Sequence, residues 1–199
     1  MQPAYWNKAC EYLSEKDNIL SEIISEYDGE LLESKSDALH SLARAIVGQQ
    51  ISVKASQAIW NRLEVLLGRF TADNILSADE DNLREAGLSR PKIKYIRSIA
   101  EHFHDGSVNP EQFPNLKDED LIITLCKIKG IGRWTAEMFL IFHEQRPDIF
   151  PIDDLGIRKA IKLHYNSEEY SLISEQWKPY RTVASWYLWR SLDPEVVTY

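Results

Sequence analysis

The chain has 199 residues, of which 44% are hydrophobic and 27% are charged, and its formal net charge is −8. This composition is ordinary for a globular protein with one domain or two small subdomains. The sequence contains no run of about 18 apolar residues, so no membrane span is expected. The two cysteines, Cys10 and Cys126, are too few for a disulfide framework or a cysteine-ligated iron–sulfur cluster.

Apolar residues recur at three- and four-residue spacing along nearly the whole chain, which predicts helices. In chain order the predicted helices are Ala4–Lys16, Asn18–Tyr27, Leu39–Val47, Val53–Leu67, Ser89–His104, Glu119–Cys126, Arg133–His143, Leu155–His164 and Ser174–Ser191. Ser52 and Asp118 precede two of these helices as predicted N-caps. The stretches around Pro110 and Pro147 are predicted loops. Since no alternating run is long enough for a strand, the predicted fold class is all-α.

The charges are distributed unevenly along the chain. Eight acidic residues lie between Glu11 and Glu33, where Lys16 is the only basic residue. By contrast, Ser89–Ala100 contains Arg90, Lys92, Lys94 and Arg97 and no acid, and Lys127–Arg133 contains three cations and no acid. The chain can therefore present a basic face on an acidic body. Its non-specific affinity for DNA is expected to be modest and strongly salt-dependent.

A Gly-x-Gly turn joins two predicted helices within residues 125–140. Gly130 and Gly132 let the backbone approach a ligand closely and allow a positive φ. The N-terminus of the following helix directs unpaired N–H groups at the turn, which favours an anion. The cations of the turn are Lys127, Lys129 and Arg133. This pattern predicts that the turn binds a phosphate of a nucleic-acid backbone.

The turn sequence Gly-Ile-Gly-Arg-Trp-Thr-Ala, residues 130–136, resembles the helix-hairpin-helix of the DNA glycosylase superfamily. It is most similar to the alkylpurine branch, the 3-methyladenine DNA glycosylase II type. The segments Ser41–Ser52 and Phe150–Lys159 resemble two further blocks of that family and occur in the same order. The resemblance covers about residues 38 to 192, and it indicates the short form without the family's additional N-terminal domain.

The resemblance implies a single glycosylase unit, residues 1–199, with two helical subdomains flanking an active-site cleft. One subdomain would hold residues 29–146 with the hairpin, and the other would join residues 1–28 to 147–199. The implied activity is that of a monofunctional DNA glycosylase, which flips and hydrolytically excises alkylated purines such as 3-methyladenine and 7-methylguanine in base-excision repair. The alternatives are a non-catalytic helix-hairpin-helix DNA-binding protein and a glycosylase for oxidised or mispaired bases.

The implied partner is double-stranded DNA containing alkylated bases, bound by a monomer without a membrane or a cofactor. The N-terminal residues lack the charged-then-apolar pattern of a secretory signal. We therefore expect a cytoplasmic, nucleoid-associated protein, or a nuclear one if the source is a eukaryote.

Asp154 is the candidate catalytic residue, at the family's position for this group. Departure of the base builds positive charge on the sugar, which a fixed carboxylate stabilises. Asp153 is the second candidate because the two carboxylates are adjacent. The structural alternative is that these residues only cap the helix that begins at Leu155.

Three residues are predicted to line the base pocket: Trp134, Met138 and Trp189. Trp134 occupies the place of the lysine that forms a Schiff base in bifunctional relatives, so no lyase activity is expected. An indole face also attracts a cationic alkylated purine. Met138 stands where the best-known relatives have a tyrosine, which leaves base selectivity open. Trp186 is the alternative to Trp189, and core packing is the alternative for all of these aromatic residues.

The predicted DNA-binding residues are Gln50, Lys127, Lys129, Gly130, Gly132 and Arg133. Gln50 stands where the family inserts a side chain into the gap left by the flipped base, and an exposed loop amide is the alternative. The backbone carbonyls of Cys126, Ile128 and Gly130 resemble a site at which the hairpin holds a monovalent cation, Na⁺ or K⁺.

Overall fold

The computed structural model describes residues 3–27, 29, 32 and 37–192. Within these residues it has twelve α-helices, one 3₁₀ helix and no β-strand, which confirms the predicted all-α class. The α-helices are α1 (Trp6–Lys16), α2 (Asn18–Glu26), α3 (Ala38–Gly48), α4 (Val53–Leu67), α5 (Ala72–Ser77), α6 (Glu80–Glu85), α7 (Arg90–His104), α8 (Asp118–Cys126), α9 (Arg133–Phe142), α10 (Leu155–Tyr165), α11 (Tyr170–Glu175) and α12 (Arg181–Arg190). None of these helices has the length and apolar character needed to cross a membrane.

The chain divides into two compact units. One comprises Met1–Lys35 and Glu137–Thr198, and the other comprises Ser36–Ala136. The second unit differs at both ends from the subdomain predicted over residues 29–146. That subdomain therefore stays a prediction.

In the first unit, the N-terminal helices pack against the C-terminal ones. Helices α1 and α2 both contact α12, which also contacts α10. Trp6 is buried and meets Trp186 edge to face, with ring centroids 5.3 Å apart. Burial of two such aromatic side chains joins segments that lie far apart in the sequence.

A second link between these segments is the buried carboxylate of Asp17. One oxygen caps α2 by accepting the N–H groups of Ile19 and Leu20, at 3.0 and 3.1 Å. The other oxygen accepts hydrogen bonds from three side chains, those of Tyr165 (2.7 Å), Gln176 (3.2 Å) and Trp177 (2.8 Å). The carboxylate therefore holds the start of α2 to the segment around α11.

We expect the substitution Asp17→Asn to destabilise the protein by roughly 1–3 kcal/mol, the cost of leaving a buried polar group unsatisfied. The new amide places an N–H donor opposite the indole N–H of Trp177, which cannot turn into an acceptor. Urea denaturation measures the loss. Asp37→Asn is the matched control, because Asp37 is an exposed N-cap bonded to the His40 N–H and asparagine caps equally well. Equal stability of the two variants would contradict the structural role of Asp17.

In the second unit, helix α7 packs against α3, α5 and α6. Its buried residues include Ile93, Ile96 and Ile99, at the spacing predicted from the sequence. Ser89 caps α7 and Ser52 caps α4, since their hydroxyl oxygens accept the backbone N–H groups of Lys92 and Ala55, respectively. The sequence predicted both helix starts and the end of α4 at Leu67.

Two details of the predicted helices are wrong. The segment Ser174–Ser191 is not one helix, because α11 ends at Glu175 and α12 begins at Arg181. Pro179 lies in the break, and proline lacks an N–H and disfavours helical geometry at the preceding residue. Asp118 is not an N-cap either, since Lys117 takes that position without a side-chain bond and Asp118 starts the first turn.

Most of α11 lies before the predicted start at Ser174, and three further short elements were not predicted at all. Helices α5 and α6 have six residues each, and a six-residue 3₁₀ helix, Pro110–Asn115, occupies part of a predicted loop. Elements of this length are too short to show a helical period. Their caps were the available signal, because Thr71, Asp79 and Asn109 each accept a backbone N–H at the start of one element.

Candidate active site and nucleic-acid interface

The predicted hairpin is formed by α8, a turn over residues 127–132, and α9. The turn is held from within, since the N–H of Ile128 donates to Leu125 O at 3.0 Å and the N–H of Ile131 donates to Ile128 O at 3.1 Å. Both isoleucine side chains are buried. The hydrogen bonds and the two buried side chains therefore fix the shape of the turn that carries the polar residues.

The two glycines of the turn serve different purposes. Gly130 has φ +94°, and a Cβ there would lie 2.4 Å from Cγ of Tyr95, so no side chain fits. Gly132 does not have a positive φ, and a Cβ there would meet nothing within 4 Å. Both glycines were expected to allow a positive φ, but only Gly130 has one. Gly132 leaves the backbone open at the N-terminus of α9, where an anion is favoured.

The three predicted cations of the turn differ in their surroundings. Lys127 and Lys129 are exposed. The guanidinium of Arg133 forms two 2.8 Å bonds to the carboxylate of Glu119, and this pair holds the pKa of Glu119 below its usual value. Part of the positive charge of Arg133 is therefore balanced within the hairpin, and its contact with DNA stays a prediction.

Two of the carbonyl oxygens predicted to bind a monovalent cation, those of Ile128 and Gly130, also accept hydrogen bonds. Ile128 O accepts the N–H of Ile131, and Gly130 O accepts from Nε2 of Gln49 at 3.4 Å. Each carbonyl oxygen has a second lone pair. Binding of a Na⁺ or K⁺ ion by these carbonyls and that of Cys126 stays a prediction. In the described residues, no cluster of histidine, cysteine or acidic side chains could hold a metal.

Gln50 lies in an exposed loop between α3 and α4 and has a left-handed backbone with φ +60°. The ammonium of Lys92 donates 2.7 Å hydrogen bonds to the carbonyls of Val47 and Gln49, which precede Gln50 in the chain. Desolvation by burial lowers the pKa of Lys92. In the basic segment of α7, Lys92 is therefore bonded within the protein, whereas Lys94 is exposed.

In the first unit, Asp154 caps α10. Its Oδ1 accepts the N–H of Ile157 at 2.9 Å and the indole N–H of Trp189 at 2.8 Å. The neighbouring Asp153 is exposed and bonds instead to Arg158, at 2.6 Å. Asp154 is thus the N-cap residue of α10, and its catalytic role stays a prediction. A cap does not exclude a catalytic role, because it holds the half-buried carboxylate in one orientation.

The structure also separates the candidate tryptophans. Trp189 is half-buried beside Asp154 and stacks on Phe142, with ring centroids 5.7 Å apart. Trp186 is buried in the core against Trp6. Of the two candidates, the side chain in contact with the candidate catalytic carboxylate is therefore Trp189.

The other pocket candidates lie on α9. Met138 is buried, whereas Trp134 is 40% exposed, which is unusual for an indole outside a binding surface. Phe142, which the sequence did not indicate as a pocket residue, is half-buried against Trp189. Its signal was available, because Trp134, Met138 and Phe142 are four residues apart and so follow one face of a helix.

Gly156 is a further residue that the sequence did not indicate. A Cβ at this position would lie 3.0 Å from Oδ1 of Asp154, and 3.0 and 3.2 Å from Cδ1 and Nε1 of Trp189. Contacts of this length are too short for unstrained carbon atoms. The missing side chain therefore leaves the space through which the indole N–H reaches the carboxylate.

Comparison with known proteins identifies the family of the chain. Residues 43–180 match the model of the HhH-GPD superfamily of base excision DNA repair proteins. The chain belongs to this superfamily. It is 37% identical over 182 residues to DNA-3-methyladenine glycosylase 1 of Schizosaccharomyces pombe. This alignment covers 86% of the chain and 80% of the S. pombe protein.

Two solved structures are similar over most of the chain. One is the S. pombe 3-methyladenine DNA glycosylase Mag1 in complex with abasic DNA, with a TM-score of 0.80, 36% identity, and coverage of 96% of this chain and 100% of the other. The second is a DNA-3-methyladenine glycosidase from Bacillus halodurans, with a TM-score of 0.85, 33% identity, and coverage of 93% and 89%.

We expect the two hairpin glycines to give opposite results when they are substituted. Gly130→Ala should lower the free energy of unfolding by about 1–2 kcal/mol or more, because alanine is strained at positive φ and its Cβ meets Tyr95. Gly132→Asp should leave stability within about 0.5 kcal/mol, as is usual for exposed positions, but weaken binding of undamaged duplex DNA by bringing a negative charge to a phosphate site.

Urea denaturation and fluorescence anisotropy across a salt series measure the two effects, with Gly132→Ala as the uncharged control. If Gly132→Asp changes neither the affinity nor its salt dependence, the hairpin is not the DNA anchor.

We expect Gly156→Ala and Trp189→Phe each to slow base release at saturating DNA by about tenfold, since a misplacement near 1 Å can cost about 10²-fold. The alanine displaces the indole or the carboxylate, and the phenylalanine keeps an aromatic ring but removes the N–H donor. Single-turnover release of 7-methylguanine measures both. A Trp189→Phe variant with the wild-type rate would show that the ring acts only by packing.

Proposed function

We propose that this chain is a monofunctional DNA glycosylase that excises alkylated purines from double-stranded DNA by hydrolysis, as part of base-excision repair. The observation that carries the proposal is the orientation of the Asp154 carboxylate, held by a helix N-terminus and an indole N–H. The S. pombe relative is named for the same activity and covers most of the chain.

The chemistry requires little more than a placed negative charge. As the glycosidic bond lengthens, positive charge develops on the deoxyribose ring, and the Asp154 carboxylate stabilises that charge. The same carboxylate can orient the water that attacks the sugar. Because its two hydrogen bonds are formed before DNA binds, the enzyme does not have to reorganise this group during the reaction.

The product should be an intact strand with an abasic site. A bifunctional glycosylase cleaves the strand after a lysine amine attacks the sugar. Here Trp134 stands at the start of α9 in place of that lysine, and an indole cannot form a Schiff base. We therefore propose hydrolysis alone, without lyase activity.

Aromatic faces supply the preference for alkylated purines. A purine alkylated at N3 or N7 carries a positive charge, which both weakens its glycosidic bond and attracts it to an indole or phenyl face. We propose that Trp189, stacked on Phe142, and the exposed Trp134 provide such faces, with Met138 as apolar lining.

The hairpin supplies the DNA anchor. We propose that the open backbone at Gly132, the N–H groups at the start of α9, and the side chains of Lys127 and Lys129 bind one phosphate region. A Na⁺ or K⁺ ion bound by hairpin carbonyls would add positive charge there. We further propose that the protein acts as a monomer where the DNA is, in the nucleoid or in the nucleus of a eukaryote.

We expect Asp154→Asn to keep the fold and to bind lesion DNA at least as well as the native chain, because a negative charge near DNA is removed. Asparagine still caps a helix. Release of 7-methylguanine should fall by about 10²–10³-fold, the usual loss for one electrostatic group of this kind. Asp153→Asn, one residue away on an exposed side chain, is the matched control and should retain most activity.

Several outcomes would overturn parts of the proposal. If Asp153→Asn is the inactive variant, the catalytic role belongs to that residue. No release of any base by the native chain would favour a non-catalytic DNA-binding protein. A covalent adduct trapped by borohydride would contradict the monofunctional mechanism, and faster excision of the neutral 8-oxoguanine would indicate specificity for oxidised bases.

A further inference from the structure

One face of helix α7 contacts two segments proposed to bind DNA. Lys92, Tyr95 and Ser98 are three residues apart on this helix and so lie on one side of it. Lys92 bonds to the loop that contains Gln50. The Tyr95 ring lies against Gly130, and the hydroxyl of Ser98 accepts the N–H of Lys129 at 3.2 Å. Helix α7 is therefore a common support for the loop and the hairpin turn.

Lys92 acts on the loop through backbone groups that α3 leaves unpaired. The last carbonyls of a helix have no partner within the helix, and a cation near them is favourable. Val47 is in the last turn of α3 and Gln49 is its C-cap residue, and both carbonyls accept from the Lys92 ammonium at 2.7 Å. These carbonyls would lose a charged donor if the lysine turned outward to a phosphate.

The other bonds of this loop are longer. The N–H of Ile51 donates to Gly48 O at 3.5 Å, and Nε2 of Gln49 donates to Gly130 O at 3.4 Å. Gln50 itself has a left-handed backbone, which is uncommon for a residue other than glycine and needs support from its surroundings. The support from the Lys92 ammonium lies directly before it.

We propose that Lys92 is a positioning residue for base flipping: it holds the loop of residues 49–52 so that Gln50 is presented to the duplex, and it does not contact a phosphate. This inference rests on the proposed function, in which Gln50 fills the gap left by the flipped base. It separates Lys92 from Lys94, which has the same charge but is exposed on the same helix.

The test is Lys92→Met, which keeps an unbranched side chain one atom shorter and removes its donors. We expect single-turnover release of 7-methylguanine to fall about tenfold. The salt dependence of binding to undamaged duplex should stay the same, because each lost phosphate contact would lower the slope of log K against log salt by about 0.9. Fluorescence of a duplex with 2-aminopurine at the target position reports flipping directly, and its increase on binding should shrink.

Three further variants make the role specific. Lys92→Arg keeps a cation with several donors and should restore most of the flipping signal. Gln50→Ala should lower flipping by itself, and Lys92→Met should add little to it in the double variant, because both act at one step. Lys94→Met removes the same charge without touching α3, so its effect on flipping should be much smaller than that of Lys92→Met.

A reduced salt slope with an unchanged flipping signal would show that Lys92 binds phosphate and would overturn the proposal. Additive losses in the double variant would reduce its role to general stability. If Lys92→Met unfolds, Lys92→Gln retains one donor and allows the same cycle. Because 2-aminopurine fluorescence does not require catalysis, the proposal can fail or stand even if the native chain releases no alkylated base.

Discussion

The unpaired backbone groups at helix ends are the constraint on which this structure depends. Every α-helix leaves N–H groups at its start and carbonyls at its end without partners within the helix. In a chain built from short helices such ends are frequent, and side chains near them decide how the helices are held. Asp17 satisfies the start of α2, Asp154 the start of α10, and Lys92 the end of α3.

The same constraint accounts for the placement of the candidate sites. A side chain bonded to a helix end is held in one orientation, which is what a catalytic carboxylate or a base-flipping loop requires. The start of α9 differs, because Gly132 leaves it open, and the natural partner there is an anion from outside the protein. A structural residue can thus also be a candidate functional one, as at Asp154, where the capping oxygen also accepts the Trp189 indole N–H.

Two glycines show how the absence of a side chain can define a site. Gly130 lets the Tyr95 ring lie against the hairpin turn, and Gly156 lets the Trp189 indole reach Asp154. At Gly130 a Cβ would overlap the aromatic ring, and at Gly156 a Cβ would press against the indole and the carboxylate. The cations near the hairpin also differ in their surroundings. Those of Arg133 and Lys92 are hydrogen-bonded within the protein, whereas those of Lys127 and Lys129 are exposed.

The sequence by itself determined the helical class, most of the longer helices, the cap at Ser52, the hairpin turn, and Asp154 as a candidate, because local spacing and short motifs encode these features. Only the tertiary structure decided which tryptophan lies beside Asp154, that Phe142 and Gly156 contact that tryptophan, and that Lys92 bonds to the end of α3. It also showed that the chain breaks between α11 and α12 and that Arg133 pairs with Glu119. These features depend on residues distant in sequence, such as Asp154 and Trp189, and spacing along a chain does not specify which distant side chains meet.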